Sequence, residues 1–266
     1  MREVRQSERE HLIIDVNTWI GHWPFRPLRN RTAEQLLLQM DKYDIDKAMV
    51  SSINAMFYKN AHAGNEELHR STKNFRDRLI PFATINPAYP GWLDDLHESF
   101  ESFGFKGLRL QPEYHRYDLG SSESMALIDA TGQMGLPVQL PMRVADRRQR
   151  HPWDLADDLR PDKLAETFSR FPRIKWMVLN GIGIQPRHIP EGCSVIVEFS
   201  RMTCVLQQNV QELMRNGSSR MLAFGSGMPF KAAGPSILKL KILDESTHIK
   251  DCIAWRNAAE MVGIPN

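Results

Sequence analysis

Long apolar runs are missing from this 266-residue chain: nowhere does an uncharged stretch approach the roughly 18 residues that span a bilayer, and Met1 to His11 lacks the apolar centre of a signal peptide. No membrane partner is expected, the location is expected to be cytoplasmic, and residues 1–10 read as a flexible leader. Cysteine is scarce. Cys193, Cys204 and Cys252 are odd in number and form no Cys-x-x-Cys pair, which fits free thiols in a reducing compartment better than a disulfide framework. Charge of one sign is also lacking: 34 Lys plus Arg against 32 Asp plus Glu leave a net charge of +2, too small a field to recruit nucleic acid or an anionic membrane. Basic residues are not interleaved with aromatics along one element, which removes the usual footprint of a nucleic-acid binder.

Several catalytic signatures are absent as well. No Gly-x-Gly-x-x-Gly follows the first strand and no P-loop occurs, so Gly21, Gly104, Gly107 and Gly135 read as isolated turn glycines. Gly-x-Ser-x-Gly is missing, and Phe224-Gly225-Ser226-Gly227 lacks the spacing of a nucleophile elbow. There is no internal repeat, low-complexity tract or composition shift that would mark a linker. What is present is an ordinary globular composition, 42% hydrophobic and 25% charged with 6 Trp, in a length close to the roughly 250 residues of a one-domain α/β barrel. One domain over residues 11–266 is the expectation.

Along it, short apolar runs alternate with amphipathic stretches, the pattern of repeated β-then-α units and a parallel sheet. Strands are predicted at 12–17, 47–53, 79–85, 105–110, 137–142, 174–179, 194–199 and 221–224. Helices are predicted at 32–43, with Thr32 as N-cap, and at 65–78, 91–103, 122–135 and 162–171. Eight such strands close as a barrel or spread as an open doubly wound sheet, and periodicity does not choose between them.

The segments that end the first and last strands do. Ile13-Ile14-Asp15-Val16-Asn17-Thr18-Trp19-Ile20-Gly21 and Leu222-Ala223-Phe224-Gly225-Ser226-Gly227-Met228-Pro229-Phe230 resemble the amidohydrolase-related (amidohydrolase 2) family, a group of metal-dependent hydrolases. Between them Asp46 to Val50, Phe105 to Leu110, Gly135 to Val138, Phe171 to Lys175 and Asn257-Ala258 follow the family's order. The resemblance implies a (β/α)₈ TIM barrel and hydrolysis of C–N or C–O bonds, or decarboxylation in related branches. It also implies metal-binding histidines in a His-x-His after the first strand and after the fifth and sixth, and an Asp after the eighth. Here those positions are Asn17, Trp19, Pro141, Asn180 and Gly227, which are poor or impossible donors for a transition metal. No metal and no other cofactor is therefore expected.

Ligands of such barrels sit at the C-terminal ends of the strands. There the candidate substrate-binding residues are Asn17, Trp19, Arg109, Arg143 and Asn180: the two arginines to hold a carboxylate in a bidentate fork, the asparagines to bind ligand or cap the mouth, and Trp19 to fill the space of a metal. The candidate acid/base residues are His22 and His151, imidazoles that titrate near neutrality, and Glu198, a carboxylate between apolar neighbours that pairs with an Arg or carries a raised pKa. Two readings follow. One is a hydrolase-like protein acting without the usual metal on a small, anionic, carboxylated molecule, a route easiest for an activated substrate such as a lactone; the other is a catalytically inactive barrel with a ligand-binding or assembly role, for which a mouth filled by Trp19, Trp23 and Phe25 would speak. A homo-oligomer is compatible with either.

Overall fold

The computed structural model describes residues 12–205, 208–216 and 219–265; the expected leader lies outside them. Among the described residues eight strands follow in chain order: β1 (Ile14–Ile20), β2 (Lys47–Ser52), β3 (Leu79–Pro81), β4 (Leu108–Arg109), β5 (Val138–Pro141), β6 (Lys175–Leu179), β7 (Ser194–Glu198) and β8 (Leu222–Ala223). All pair in parallel, as the ladders β1-β2-β3 and β4-β5-β6-β7-β8. A bridge between Ala83 and Leu108 joins the two, and one between Thr18 and Met228 closes the circle. The sheet thus returns on itself as a (β/α)₈ barrel, and a barrel leaves no edge strand open.

Ten α-helices occur among the described residues: α1 (Ala33–Lys42), α2 (Ala61–Thr72), α3 (Trp92–His97), α4 (Pro112–His115), α5 (Ser122–Gln133), α6 (Pro161–Arg170), α7 (Asn209–Asn216), α8 (Gly234–Ile242), α9 (Thr247–Asp251) and α10 (Asn257–Val262). α1 begins as predicted, because the Thr32 hydroxyl accepts the Gln35 N–H and the Gln35 side chain reaches back in a capping box. α2 begins four residues before the predicted start, where the Asn60 side chain accepts the His62 N–H. The fourth strand shrinks from the predicted 105–110 to two residues, since the Phe105 N–H is spent on Ser99 and the chain turns into α4 at Pro112. The short α4, and α7 to α10 after β7, have no counterpart in the predicted helices.

Alternation along the strands sorts the core into layers. Met49, Met177, Ile196 and Ala223 belong to one buried cluster that includes Ala258, Ala259 and Met261 of α10, while Ala48, Val50, Val178, Val197 and Leu222 belong to another with Leu36 and Met40 of α1. The first fills the barrel and is closed at its base by α10; the second cements sheet to helices. Beside the junction of β3 and β4 the Phe82 ring packs onto Gly107 so closely that a Cβ there would lie 2.2 Å from it, which explains glycine at that position. A third cluster, Trp19, Trp23, Leu28, Ile53, Met56, Val144, Ala145 and Phe230, lies at the opposite end from α10, among the loops that follow the strands.

Candidate active site

The mouth is shaped by an irregularity in β1. The predicted strand stops at Asn17, but the observed one runs to Ile20, and its register against β2 shifts between Asp15 (opposite Ala48) and Thr18 (opposite Val50). Three steps on β1 match two on β2, so one extra residue is inserted, a bulge that resets which residues face inward. Ile14 and Val16 face the barrel below the bulge, whereas Trp19 faces it above. Trp19 is consequently 0% exposed, within the strand rather than past its end.

Beneath the indole lies a polar layer. The Arg109 guanidinium sits 4.2 Å from the Trp19 ring centre. It donates to Gln139 Oε1 (2.6 Å) and to the Thr18 carbonyl (2.8 Å), with longer contacts to the carbonyls of Val16 and Met49 (3.4 Å each). Burial pulls its pKa down to about 9, against the opposing pull of the Asp15 and Glu198 carboxylates. Arg109 is thus a core cation with its donors turned onto the barrel's own backbone, not toward a ligand, which departs from its expected substrate contact.

Glu198, at the end of β7, is fully buried and held by three donors. Oε2 accepts from Asn17 Nδ2 (2.9 Å) and the Asn180 backbone N–H (2.8 Å), and Oε1 accepts from the Ser200 N–H. A Cβ on Gly225 would lie 2.2 Å from Glu198 Cγ, so the carboxylate arm needs glycine on the neighbouring strand end. Asn17 completes the chain by accepting the Trp19 Nε1–H at 3.0 Å. Asp15, named in the strand motif but not selected as a site residue, lies in the same layer: its Oδ1 accepts the N–H groups of Asn17 (2.9 Å) and Ser226 (3.0 Å), and its Oδ2 has no partner among the described residues. Burial pushes its pKa up to about 7, with the Glu198 charge adding to the rise.

Above the indole the aromatics continue outward. Trp23 meets Phe230 edge-on at 4.8 Å and Phe25 at 5.2 Å; Phe25 stacks on His151 at 5.9 Å, and His151 meets Trp153, which is 80% exposed. His151 Nδ1 accepts the Trp153 N–H, and His22 Nδ1 lies 2.9 Å from Arg31 Nη1. Both histidines are exposed and Glu198 is sealed, and no hydrogen bond joins any two of them, so the structure does not gather the three expected acid/base groups into one site. Arg143 reaches Asp158, as do Arg147 (2.8 Å) and Arg150 (3.0 Å), and Arg150 also faces Asp154 (3.8 Å), so three guanidinium groups meet two carboxylates. The Asn180 amide donates to the Arg143 carbonyl (2.7 Å), which ties the ends of β5 and β6.

The amidohydrolase family profile matches residues 14–264, almost the whole described barrel. The chain belongs to this family. Among solved structures it is similar to 5-carboxyvanillate decarboxylase from Sphingomonas paucimobilis, with a TM-score of 0.75 and 12% identity over 96% of this chain and 99% of that one. A dihydroxybenzoic acid decarboxylase from a Polaromonas species, with bound manganese and the inhibitor 2-nitroresorcinol, aligns with a TM-score of 0.76 and 13% identity over 96% and 97%. The 2,6-dihydroxybenzoate decarboxylase from Rhizobium gives 0.71 and 13% over 96% and 99%. At these identities the likeness shows the fold alone. No curated protein matches the chain.

The resemblance implied a metal, and the residues present do not fit one. Asn17 spends its amide on Glu198 and Trp19, the Trp19 indole presents an N–H, the Asn180 amide spends its N–H on the Arg143 carbonyl and keeps only a neutral amide oxygen without a partner among the described residues, and Pro141 and Gly227 bring no side-chain donor atom. The Glu198 oxygens are taken up by N–H donors. Among the described residues no three His, Cys, Asp or Glu side chains come together in a way that could hold an ion.

Sequence reasoning missed Asp15, Gln139 and Lys231. Asp15 and Gln139 lie inside strands, where the rule of looking past strand ends does not reach. Lys231 could have been found by extending that rule one turn beyond Gly227, since its side chain folds back over the glycine, with Cδ 3.0 Å from where a Cβ would be.

Proposed function

We propose that the chain is a metal-free barrel that binds a small carboxylated molecule at its cationic rim and has given up hydrolysis by a metal-activated water. The observation that carries this reading is Trp19: a buried indole, bonded to Asn17 and resting on Arg109, stands over the axis where the family holds an ion. An indole in that place excludes both the ion and a substrate carbonyl beside it, so the chemistry that depends on polarising that carbonyl has no room. The anionic ligand is supported by Arg143, Arg147 and Arg150, which face two carboxylates, Asp158 and Asp154, and so leave one guanidinium charge in excess to attract a carboxylate. The aromatic decarboxylases of similar fold act on carboxylated rings, which sets the first compounds to try.

The test couples two measurements. Elemental analysis of purified protein is expected to find zinc, iron and manganese well below one ion per chain, and calorimetry is expected to detect carboxylated aromatics but not their neutral amides. One tightly held ion per chain, with turnover of a carboxylated substrate that chelation abolishes, would overturn the reading. A second reading, metal-free hydrolysis of an activated ester such as a lactone, is favoured by one observation: His151 presents an exposed imidazole between Phe25 and Trp153, on the same loop as Arg147 and Arg150. Lactone turnover that His151→Ala removes would select it.

A further inference from the structure

At the base of the barrel, the end opposite the mouth, a cavity of about 410 Å³ lies where β2 and β3 begin, the chain enters β4 and α10 ends. Its apolar wall is built by Ile80 and Pro81 of β3, Phe103 ahead of β4, and Val262 and Ile264 at and beyond the end of α10. Phe103, Val262 and Ile264 pack against the core and still keep part of their surface open. α10 stops there because Gly263 takes the left-handed conformation that ends a helix, with φ at +68°. A Cβ on Gly263, or on Gly104 of the same lining, would meet nothing within 4 Å.

Three cations line this cavity, Lys47, Arg76 and Lys106, and no acidic residue does. Arg78, close by in the chain, shows the usual arrangement, paired with Asp41 at 3.0 Å, but none of the three lining cations meets a carboxylate among the described residues. Lys47 donates to the Asp77 carbonyl (2.5 Å), and Arg76 directs one Nη to the Phe103 carbonyl (3.0 Å) and to His69 Nδ1 (3.2 Å). The Arg76 Nε and its other Nη are left over, and so is the whole ammonium of the exposed Lys106. Burial pulls the Arg76 pKa below its usual value, with no anion to offset it. Like charges gathered beside an apolar wall repel one another more than they would in open water, and an anion placed among them relieves that cost.

We propose that this cavity is a second ligand site, one that takes a small amphipathic anion: an apolar chain lies on Phe103, Val262 and Ile264, and a carboxylate or phosphate head group is held among Lys47, Arg76 and Lys106. An inorganic ion would leave the apolar wall wet, and a neutral apolar molecule would leave the three cations unpaired. Only a molecule with both parts answers both features of the lining. The site lies at the other end of the barrel from Trp19 and the arginine rim, so it stands whether or not the mouth binds the ligand proposed above.

The experiment titrates octanoate and octyl phosphate into purified full-length protein by calorimetry, with butyrate, octanol and octylamine as controls. Both octyl anions are expected to bind, the tighter of the two identifying the head group. Butyrate is expected to bind at least about ten-fold more weakly, because it buries fewer methylenes, and octanol and octylamine to give no measurable binding. To place the site, an octanoate analogue carrying a diazirine in its chain is photolysed on the protein and the labelled peptides are mapped by mass spectrometry. Residues 79–81, 103–106 and 262–265 are expected to carry the label, and excess octanoate to remove it. Lys106→Glu changes an exposed side chain that holds nothing in the fold, and is expected to weaken octanoate about five-fold with the circular dichroism unchanged, whereas Lys106→Arg is expected to retain binding. Label absent from these segments, octanol binding as tightly as octanoate, or an affinity that Lys106→Glu leaves unchanged overturns the proposal.

Discussion

Replacing Trp19 with alanine tests the plugged mouth directly. The side chain is fully buried, so truncation removes its whole apolar contact with Phe230 and the Arg109 guanidinium and leaves a cavity over the barrel axis. Truncations of buried Trp or Phe cost about 3–5 kcal/mol. The variant also strips the Asn17 amide oxygen of the Trp19 N–H, and an orphaned buried acceptor adds about 1–3 kcal/mol unless water enters to meet it. The sum, about 4–8 kcal/mol, is comparable with the entire stability of an ordinary domain, roughly 5–15 kcal/mol. Urea unfolding followed by circular dichroism is expected to show a large fall in midpoint, or a protein that no longer folds at room temperature. Trp19→Phe provides the graded control: it keeps most of the volume, loses the N–H bond and should cost clearly less. If Trp19→Ala costs under about 1 kcal/mol, the level of an unremarkable substitution, the indole does not fill the mouth and the argument for a metal-free barrel loses its main support.

Trp19→His is expected to leave metal content unchanged by elemental analysis, because Asn17, Pro141, Asn180 and Gly227 still supply no adequate donors; one bound zinc per chain would contradict this. Gly225→Ala places a Cβ 2.2 Å from the clamped Glu198 arm and should lower thermal stability by about 1–3 kcal/mol, measured by calorimetry. Asp15 titrates near 7 in the folded protein against 3.8 as the reference value, so between those values the native state holds a proton that the unfolded chain has lost. Its contribution is full below the lower value and is lost as pH rises toward 7, at about 1.4 kcal/mol per pH unit. Asp15→Asn should therefore gain on the wild type as pH rises across that window, and a stability difference that stays flat with pH would show that the carboxyl is not protonated in the fold.

Much of the barrel is legible in the sequence because its causes are local. The alternation of strand and helix, the Thr32 cap and the order of the β/α units depend on residues a few positions apart, and those contacts survive in the structure with boundaries moved by a few residues. The side chains at the positions matched by resemblance are equally a property of the string: Asn17, Trp19, Pro141, Asn180 and Gly227 stand where the resemblance places metal ligands, wherever their side chains point. The direction in which they point was decided in three dimensions. One extra residue in β1 turns Trp19 inward, and a bulge arises from pairing with β2, not from any pattern within β1. Arg109 reads from sequence as a strand-end cation open to a carboxylate, yet closure of the barrel brings it under the indole and onto carbonyls of β1 and β2. The bond between Asn17 and Glu198 spans 181 positions, and the meeting of Lys231 with Ser200 joins the ends of β8 and β7. Burial and charge act through space, so the polar layer and the raised carboxyl of Asp15 exist only once the sheet has closed.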